Sequence, residues 1–216
     1  ILIISTKIKS LIDVDKKTIG LAHLDPESEM KTDNLSSQLS QHYSFRNINL
    51  NETLNQDIDV YLVTGAVDTL DSLVRENLIS ILQSGKKVFL AQSGIATDIQ
   101  TQTATPINSD IYGFLKDYGI NLMQNLVLDG KCNKVQVQER RGIFMMNRPM
   151  DYPFFPIVQS FNENEIVVSD LEQLLPLFPS EIQIDTTENE RIAGVVELFK
   201  SSGNSGLMEG NWILSP

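Results

Sequence analysis

The sequence predicts an α/β fold, a doubly wound and mostly parallel sheet of the Rossmann or flavodoxin-like type. Two observations support this prediction. Apolar strands alternate with amphipathic helices over residues 18–130, an order typical of a parallel sheet covered on both faces. Beyond residue 130 helical periodicity becomes scarce and strand patterns follow one another, which indicates β-rich C-terminal additions.

Local patterns define the elements of the first half. The predicted strands are, in order, "KTIGLAHL", "SFRNINL", "DIDVYLVTG" and "KKVFLAQS". The clearest helix is predicted over residues 69–84, where Asp68 or Thr69 caps its start and Gly85 ends it. Shorter helices are predicted over residues 1–12, after a cap at Ser28, and over residues 109–118, with a polar loop at 93–107 between the fourth strand and the last helix.

The second half predicts strands and loops. "KVQVQERRGIFMM" is typical of a hairpin about Arg141 and Gly142, and "RPMDYPFFP" of a proline-aromatic loop. "EIQID" and "IAGVVELFKSS" indicate two further strands. No flexible linker separates the halves. We therefore expect residues 1–216 to form a single α/β domain, with a doubly wound core at 18–130 and an extension of the same sheet at 131–216.

The charge balance limits the partners. The formal net charge is -11, and no segment supplies the basic stripe of a nucleic-acid-binding protein. Such an acidic chain is also repelled by anionic lipid headgroups. No apolar run approaches the roughly 20 residues that span a bilayer, and the first residues do not have the pattern of a signal peptide. Both ends resemble internal sequence, so we expect further segments of the protein outside it.

The turn after the first predicted strand argues against a nucleotide site. This turn, "HLDPESE", contains no glycine and several acids, so it would repel the phosphate that a glycine-rich turn binds. His23 lies beside Asp25 and Glu27, but a histidine with adjacent carboxylates is more typical of a strand end than of a zinc site. We predict neither a cofactor nor a metal ion.

Two side chains are candidate nucleophiles. Ser93 follows the fourth strand, but Ala91 and Ile95 occupy the glycine positions of a nucleophile elbow. Cys132 is the single cysteine and lies near Lys131 and Lys134, whose charges can lower the pKa of the thiol. A hydrolase or transferase that uses Ser93 or Cys132 is therefore the alternative to a non-catalytic protein, which we favour.

Two groups of residues are candidates for binding. The carboxyl ends of the parallel strands form the crevice where such sheets hold ligands or partner segments, and this rim contains Asp25, Thr64, Gly65, Gln92 and Ser93. The stiff run of Tyr152, Phe154 and Phe155 between prolines either fills a core edge, which is favoured, or offers its rings to a partner. If exposed, these rings would suit a carbohydrate-binding module.

Several segments in order resemble the auxiliary component of gliding-motility-type ABC transport systems. In "DYGINLMQNLVLDG", a helix that ends at Tyr118 and Gly119 continues into an apolar strand closed by Asp129. "YPFFPIV", "LFPSEIQID" and "VVELFKSSGNSG" follow in the same order as in that family. The resemblance covers most of residues 5–205. This chain has "LDPE" where the family often has a glycine-rich turn, and Gln92 where it often has aspartate.

The resemblance implies a fold like that of the class I glutamine amidotransferases, without their catalytic cysteine. It implies a non-catalytic domain on the extracytoplasmic, periplasmic side of the cell membrane. It also implies that segments outside this sequence anchor the protein, and that a permease and an ATPase are its partners. It identifies no substrate and leaves a homo-oligomer open.

Overall fold

The computed structural model of the chain describes residues 16–25, 32–54, 57–141, 144–185, 194–210 and 212–215. The chain divides into two units. The first comprises residues 1–92 and 108–111, and the second comprises residues 93–107 and 112–216. The helix predicted over residues 1–12 and the cap predicted at Ser28 lie outside the described residues.

The first unit contains a four-stranded parallel sheet with the order β2-β1-β3-β4. Its strands are β1 (Lys17–His23), β2 (Tyr43–Ile48), β3 (Val60–Thr64) and β4 (Lys87–Ala91), which confirms the four predicted strands. Leu21 and Ala22, adjacent in β1, are both buried. Because neighbouring side chains of a strand point to opposite faces, both faces of β1 are covered. The fold is therefore of the mixed α/β class, with a parallel sheet.

Three helices are described: α1 (Asp33–Leu39), α2 (Ser72–Gln83) and α3 (Asp110–Lys116). α2 buries Val74, Leu78 and Ile81 and contacts β4. Gly85 has φ +71°, so its predicted role at the end of α2 is confirmed. Of the helices in the described part of the chain, none has the length and apolar character needed to cross a bilayer.

The predicted start of α2 is wrong. Asp71 caps the helix, because its side chain accepts a hydrogen bond from the Leu73 N–H at 2.8 Å. The earlier residues are held elsewhere: the Asp68 carbonyl accepts from the Asp110 N–H at 3.1 Å, and the Leu70 N–H donates to the Asp110 carboxylate at 3.2 Å. These bonds tie residues 68–70 to the first turn of α3, so they cannot join α2.

The second unit is rich in short antiparallel strands, as predicted. The pairs are β5 (Ile95–Asp98) with β6 (Thr103–Pro106), β7 (Ile120–Leu122) with β12 (Ile182–Ile184), β8 (Leu126–Asp129) with β14 (Ser205–Met208), β9 (Cys132–Arg141) with β10 (Phe144–Pro156), and β11 (Ser160–Phe161) with β13 (Phe199–Lys200). Each of these described strands pairs within the second unit. The assignment of residues 1–216 to one domain stays a prediction.

Two predicted loops of the second unit are strands. The prediction of a loop at residues 93–107 is wrong. Much of this segment forms the β5–β6 hairpin, which buries Ile95 and Ala104 in the core. "RPMDYPFFP" is not a loop because it belongs to β10, which pairs with β9. Prolines are tolerated there because a two-stranded sheet leaves an outer edge of each strand without a ladder partner.

A hydrophobic cluster in the core of the second unit contains three buried aromatic rings. Its buried members are Ile95, Ala104, Leu126, Tyr152, Phe154, Phe178 and Leu214. The rings of Tyr152 and Phe154 have centroids 5.1 Å apart, and Phe178 lies edge-on to Tyr152 at 6.2 Å. The Tyr152 hydroxyl donates to the Leu214 carbonyl at 2.6 Å, which satisfies the polar end of a buried ring.

Gly20 in β1 lies where the first unit has no room for a side chain. A Cβ at this position would lie 2.9 Å from Ile48 Cγ1 and 3.0 Å from Ile58 Cγ2. We expect Gly20→Val to lower the free energy of unfolding by about 1–3 kcal/mol through overpacking, measured by urea denaturation.

Gly113 in α3 is the matched control, because a Cβ there meets nothing within 4 Å. Gly113→Ala should raise the free energy of unfolding by about 0.5–1 kcal/mol, since alanine favours the helix. A Gly20→Val protein as stable as the wild type would contradict the packing described around β1.

Candidate functional site

The carboxyl ends of β1, β3 and β4 carry a hydrogen-bonded group of polar residues in the first unit. His23 Nδ1 lies 2.9 Å from Thr64 Oγ1, and Gln92 Nε2 donates to the Gly65 carbonyl at 2.6 Å. Beside them the Leu24 N–H donates to the Thr64 carbonyl at 2.8 Å. We call His23, Thr64, Gly65 and Gln92 the strand-end cluster. All four are half-buried, so their groups are positioned but accessible.

Gly65 makes this cluster possible. Its φ is +82°, a left-handed conformation that side chains disfavour. A Cβ at this position would lie 2.6 Å from His23 Nδ1. Glycine therefore allows the imidazole to lie against the backbone while its Nδ1 contacts Thr64.

The structure brings together three of the five predicted rim residues, Thr64, Gly65 and Gln92, in the first unit. Asp25 follows β1 at the same edge of the sheet and is half-buried. Ser93 belongs to the second unit.

His23 was missing from the predicted rim, although its place at a strand end is confirmed. The signal was present in the register, because His23 is the partner of Thr64 where β1 pairs with β3. Side chains at paired positions lie on the same face of a sheet.

The cluster presents hydrogen-bonding groups that are neutral or can be neutral. A hydroxyl both donates and accepts, a neutral imidazole does so through its two nitrogens, and a carboxamide carries two donors and an acceptor. Asp25 at the same edge adds a carboxylate. This arrangement suits a neutral hydrogen-bonding partner, such as a peptide backbone, and disfavours an anion.

Neither candidate nucleophile has an activated environment. The Ser93 hydroxyl donates to the Ile95 carbonyl at 2.9 Å and accepts from the Ile95 N–H at 3.3 Å, so it is engaged in its own turn. Burial first, and then the charges of Asp151 and Asp129, raise the pKa of the Cys132 thiol against the lowering by the Tyr152 backbone and the charge of Lys134. Lys134 lowers this pKa as predicted, but the net shift is upward, and the thiolate fraction is reduced.

The predicted aromatic loop belongs largely to the core. Tyr152 is 5% exposed and Phe154 is 4% exposed, and Phe155 packs against the same cluster. A carbohydrate-binding module needs exposed rings for stacking, so that alternative is wrong for Tyr152 and Phe154. The favoured interpretation, a core edge filled by these rings, is confirmed.

A buried polar group at the end of β8 was not among the predicted sites. Asp129 is 1% exposed. Its carboxylate accepts from the Ser202 N–H at 2.7 Å, the Ser202 hydroxyl at 2.6 Å and the Lys131 N–H at 2.8 Å. Burial acts to raise the pKa of Asp129, but these hydrogen bonds outweigh it and the pKa is lowered. Asp129, which closes the motif "DYGINLMQNLVLDG", therefore has a structural role.

Asp129 should make the stability depend on pH. A folded-state pKa below the unfolded value contributes stability that is complete above about pH 4 and is lost as the pH falls through the folded pKa. We expect Asp129→Asn to lower the free energy of unfolding at pH 7 by about 1–3 kcal/mol, with a smaller deficit at pH 3. Urea denaturation at both pH values checks this expectation.

The exposed Asp151, whose carboxylate lies 3.5 Å from Lys134 Nζ, supplies the control for Asp129. Asp151→Asn should change the free energy of unfolding by less than about 1 kcal/mol. An equal effect of the two substitutions at pH 7 would show that the Asp129 bonds do not stabilise the fold.

Gly65→Ala tests the packing of His23. We expect it to lower the free energy of unfolding by more than the roughly 1–2 kcal/mol that a left-handed alanine costs, because the new methyl group displaces the imidazole. Gly85→Ala provides the comparison, since Gly85 has φ +71° and a Cβ there meets nothing within 4 Å. Chemical denaturation of both variants measures the difference, and equal losses would contradict the contact with His23.

Comparison with solved structures relates the chain to one titled "mmIFT52 N-terminal domain". The two share 13% sequence identity, and the superposition has a TM-score of 0.55. It covers 88% of this chain and 75% of that one. At this identity the likeness concerns the fold alone.

Sequence comparisons relate the chain to a transport family. A Borreliella burgdorferi protein described as "Uncharacterized protein" is 26% identical over an alignment of 129 residues, and the match covers 56% of this chain. The match spans only 26% of that curated relative's length. Residues 16–216 match the family described as "ABC-type uncharacterized transport system". This match covers most of the chain, so the protein belongs to the family of ABC-type uncharacterized transport systems.

Proposed function

We propose that the chain is a non-catalytic auxiliary domain of an ABC transport system, of the gliding-motility type, which binds a permease segment or a ligand at the strand-end cluster. The observation that carries this proposal is the mutual bonding of the strand ends, with Gln92 on Gly65 at 2.6 Å and His23 on Thr64 at 2.9 Å. These bonds fix polar groups in advance of binding, which lowers the entropic cost of association. The engaged hydroxyl of Ser93 and the raised pKa of Cys132 support binding rather than nucleophilic catalysis.

The position of the cluster supports the same role. The sheet order is β2-β1-β3-β4. β2 therefore lies on one side of β1, whereas β3 and then β4 lie on the other side, so the direction of strand addition reverses between β1 and β3. Ligands of doubly wound sheets bind at such a reversal, outside the carboxyl ends of the strands. Because His23 and Thr64 end β1 and β3, the cluster lies at the reversal. We propose on this basis that the sheet is doubly wound and flavodoxin-like, in a fold similar to that of the class I glutamine amidotransferases.

The proposed partners follow from the family. An ABC transport system works at a membrane, so we propose that a permease and an ATPase are the partners. We further propose that the domain works on the extracytoplasmic side. Its net charge of -11 gives a strongly solvated surface.

The chemistry of the cluster narrows the occupant to a neutral, hydrogen-bonding group. An extended permease segment meets this requirement, because its backbone presents an N–H and a C=O at each residue. While their internal bonds hold, the Gln92 amide keeps a second N–H and its oxygen for such a segment, and the Thr64 hydroxyl keeps one of its two roles as donor and acceptor. Asp25 at the same edge favours a segment without acidic side chains.

A pull-down of the permease tests the proposal. The triple variant Asp25→Asn, Thr64→Val, Gln92→Ala should retain roughly a tenth or less of the captured permease, because each lost hydrogen bond weakens binding by about 0.5–1.5 kcal/mol. The control variant Lys17→Ala, Lys87→Ala changes exposed residues at the amino ends of β1 and β4 and should capture as much as the wild type.

Urea denaturation of both variants separates lost binding from lost folding. Permease capture and transport that are unchanged in a folded triple variant would refute the proposal. Hydrolysis of an ester or amide substrate that is lost on Ser93→Ala would also refute it.

A further inference from the structure

The β9–β10 hairpin of the second unit is a long two-stranded ribbon. Its register pairs Lys134 with Asp151 and Arg140 with Met145, and the described strand order of this sheet contains only these two strands. Met145 is 63% exposed and Met146 is 53% exposed. A two-stranded ribbon gains little from its own pairing in water, so two exposed methionines near its turn require an explanation other than the core.

The distal part of this ribbon is amphipathic on both faces. Paired residues share a face, and successive residues alternate between faces. Met145 therefore shares one face with Arg140, and Met146 shares the other face with Arg148. We call these four residues the hairpin tip. Each face carries a flexible apolar side chain and a guanidinium. On the second face, Met146 lies nearer the turn than Arg148 does.

We propose that the hairpin tip docks on an anionic lipid surface. The charge at the tip is complementary to such a surface, since Arg140 and Arg148 are basic in a chain of net charge -11. Glu139, opposite Met146, offsets one of these charges. The methionines gain by entering the apolar boundary, while the arginines extend their guanidinium groups to the phosphates. The family of the chain, a transport system, supplies the membrane.

The length of the ribbon explains how an acidic chain can approach an anionic surface. From Asp151 to Met145 the strand advances about 20 Å at roughly 3.3 Å per residue. The Debye length at physiological ionic strength is about 8 Å. The Asp151 carboxylate is therefore largely screened from a surface that the tip contacts, which leaves Arg140, Arg148 and Glu139 as the charges nearest to that surface.

An acidic protein is the rival occupant, because it would also pair with the arginines. The methionines favour lipid, since flexible thioether side chains fill an irregular apolar boundary. A second exposed apolar pair, Ile166 and Val167 at 91% and 76% exposure, follows Glu163 and Glu165. This pair has the same apolar character without basic neighbours, and it supplies the matched control.

Co-sedimentation of the 216-residue chain with vesicles tests the inference, which does not depend on the strand-end proposal. The wild type should pellet with vesicles of equal parts phosphatidylglycerol and phosphatidylcholine at low salt, less so as salt rises, and not with phosphatidylcholine alone. Arg140→Gln, Arg148→Gln should weaken binding by roughly thirtyfold. Met145→Ser, Met146→Ser should weaken it by roughly tenfold, and Ile166→Ser, Val167→Ser should leave it unchanged.

Three results would overturn the inference. The first is a wild type that stays in the supernatant at low salt, and the second is equal binding by the tip variants and the control variant. The third is binding to immobilised polyglutamate that is stronger than binding to the vesicles and is unchanged in the methionine variant. This result would assign the tip to an acidic protein. The substituted residues are exposed, so thermal unfolding of each variant should match the wild type and confirm that folding is intact.

Discussion

The parallel pairing of β1 with β2 on one side and β3 on the other is the constraint on which the first unit depends. It buries adjacent residues of β1 on opposite faces, and it leaves Gly20 without space for a side chain. The same pairing sets the register that places His23 beside Thr64. The strand that builds the core thus also positions the polar groups at its end.

The sequence was sufficient for elements whose side chains repeat strongly. The apolar runs of β1 and β3 and the helical stripe of α2 are decided by burial, which acts on every residue of the element. The sequence was insufficient for elements whose structure depends on only a few buried residues. In the β5–β6 hairpin, Ile95 and Ala104 stand among polar threonines and glutamines, and local composition outweighed them.

The candidate site was predictable in part for a related reason. The carboxyl ends of parallel strands follow from the strand pattern, so Thr64, Gly65 and Gln92 could be named. The bond between His23 and Thr64 depends on which strands are neighbours, and the bond between Asp129 and Ser202 joins residues 73 positions apart. No local pattern reports such pairs, because a long-range contact leaves a signal only in the folded register.

The long reach of the Asp129 bonds has a consequence for how the protein is made. β8 pairs with β14, and the Tyr152 hydroxyl donates to Leu214. Until residues 202–208 have been synthesised, β8 lacks its partner strand β14 and the carboxylate of Asp129 lacks its bonds to Ser202. Until then the aromatic rings of the second unit are not fully packed in the nascent chain, and exposed apolar groups promote aggregation or binding by chaperones. The four strands of the parallel sheet all lie between Lys17 and Ala91, so they are synthesised before any strand of the second unit.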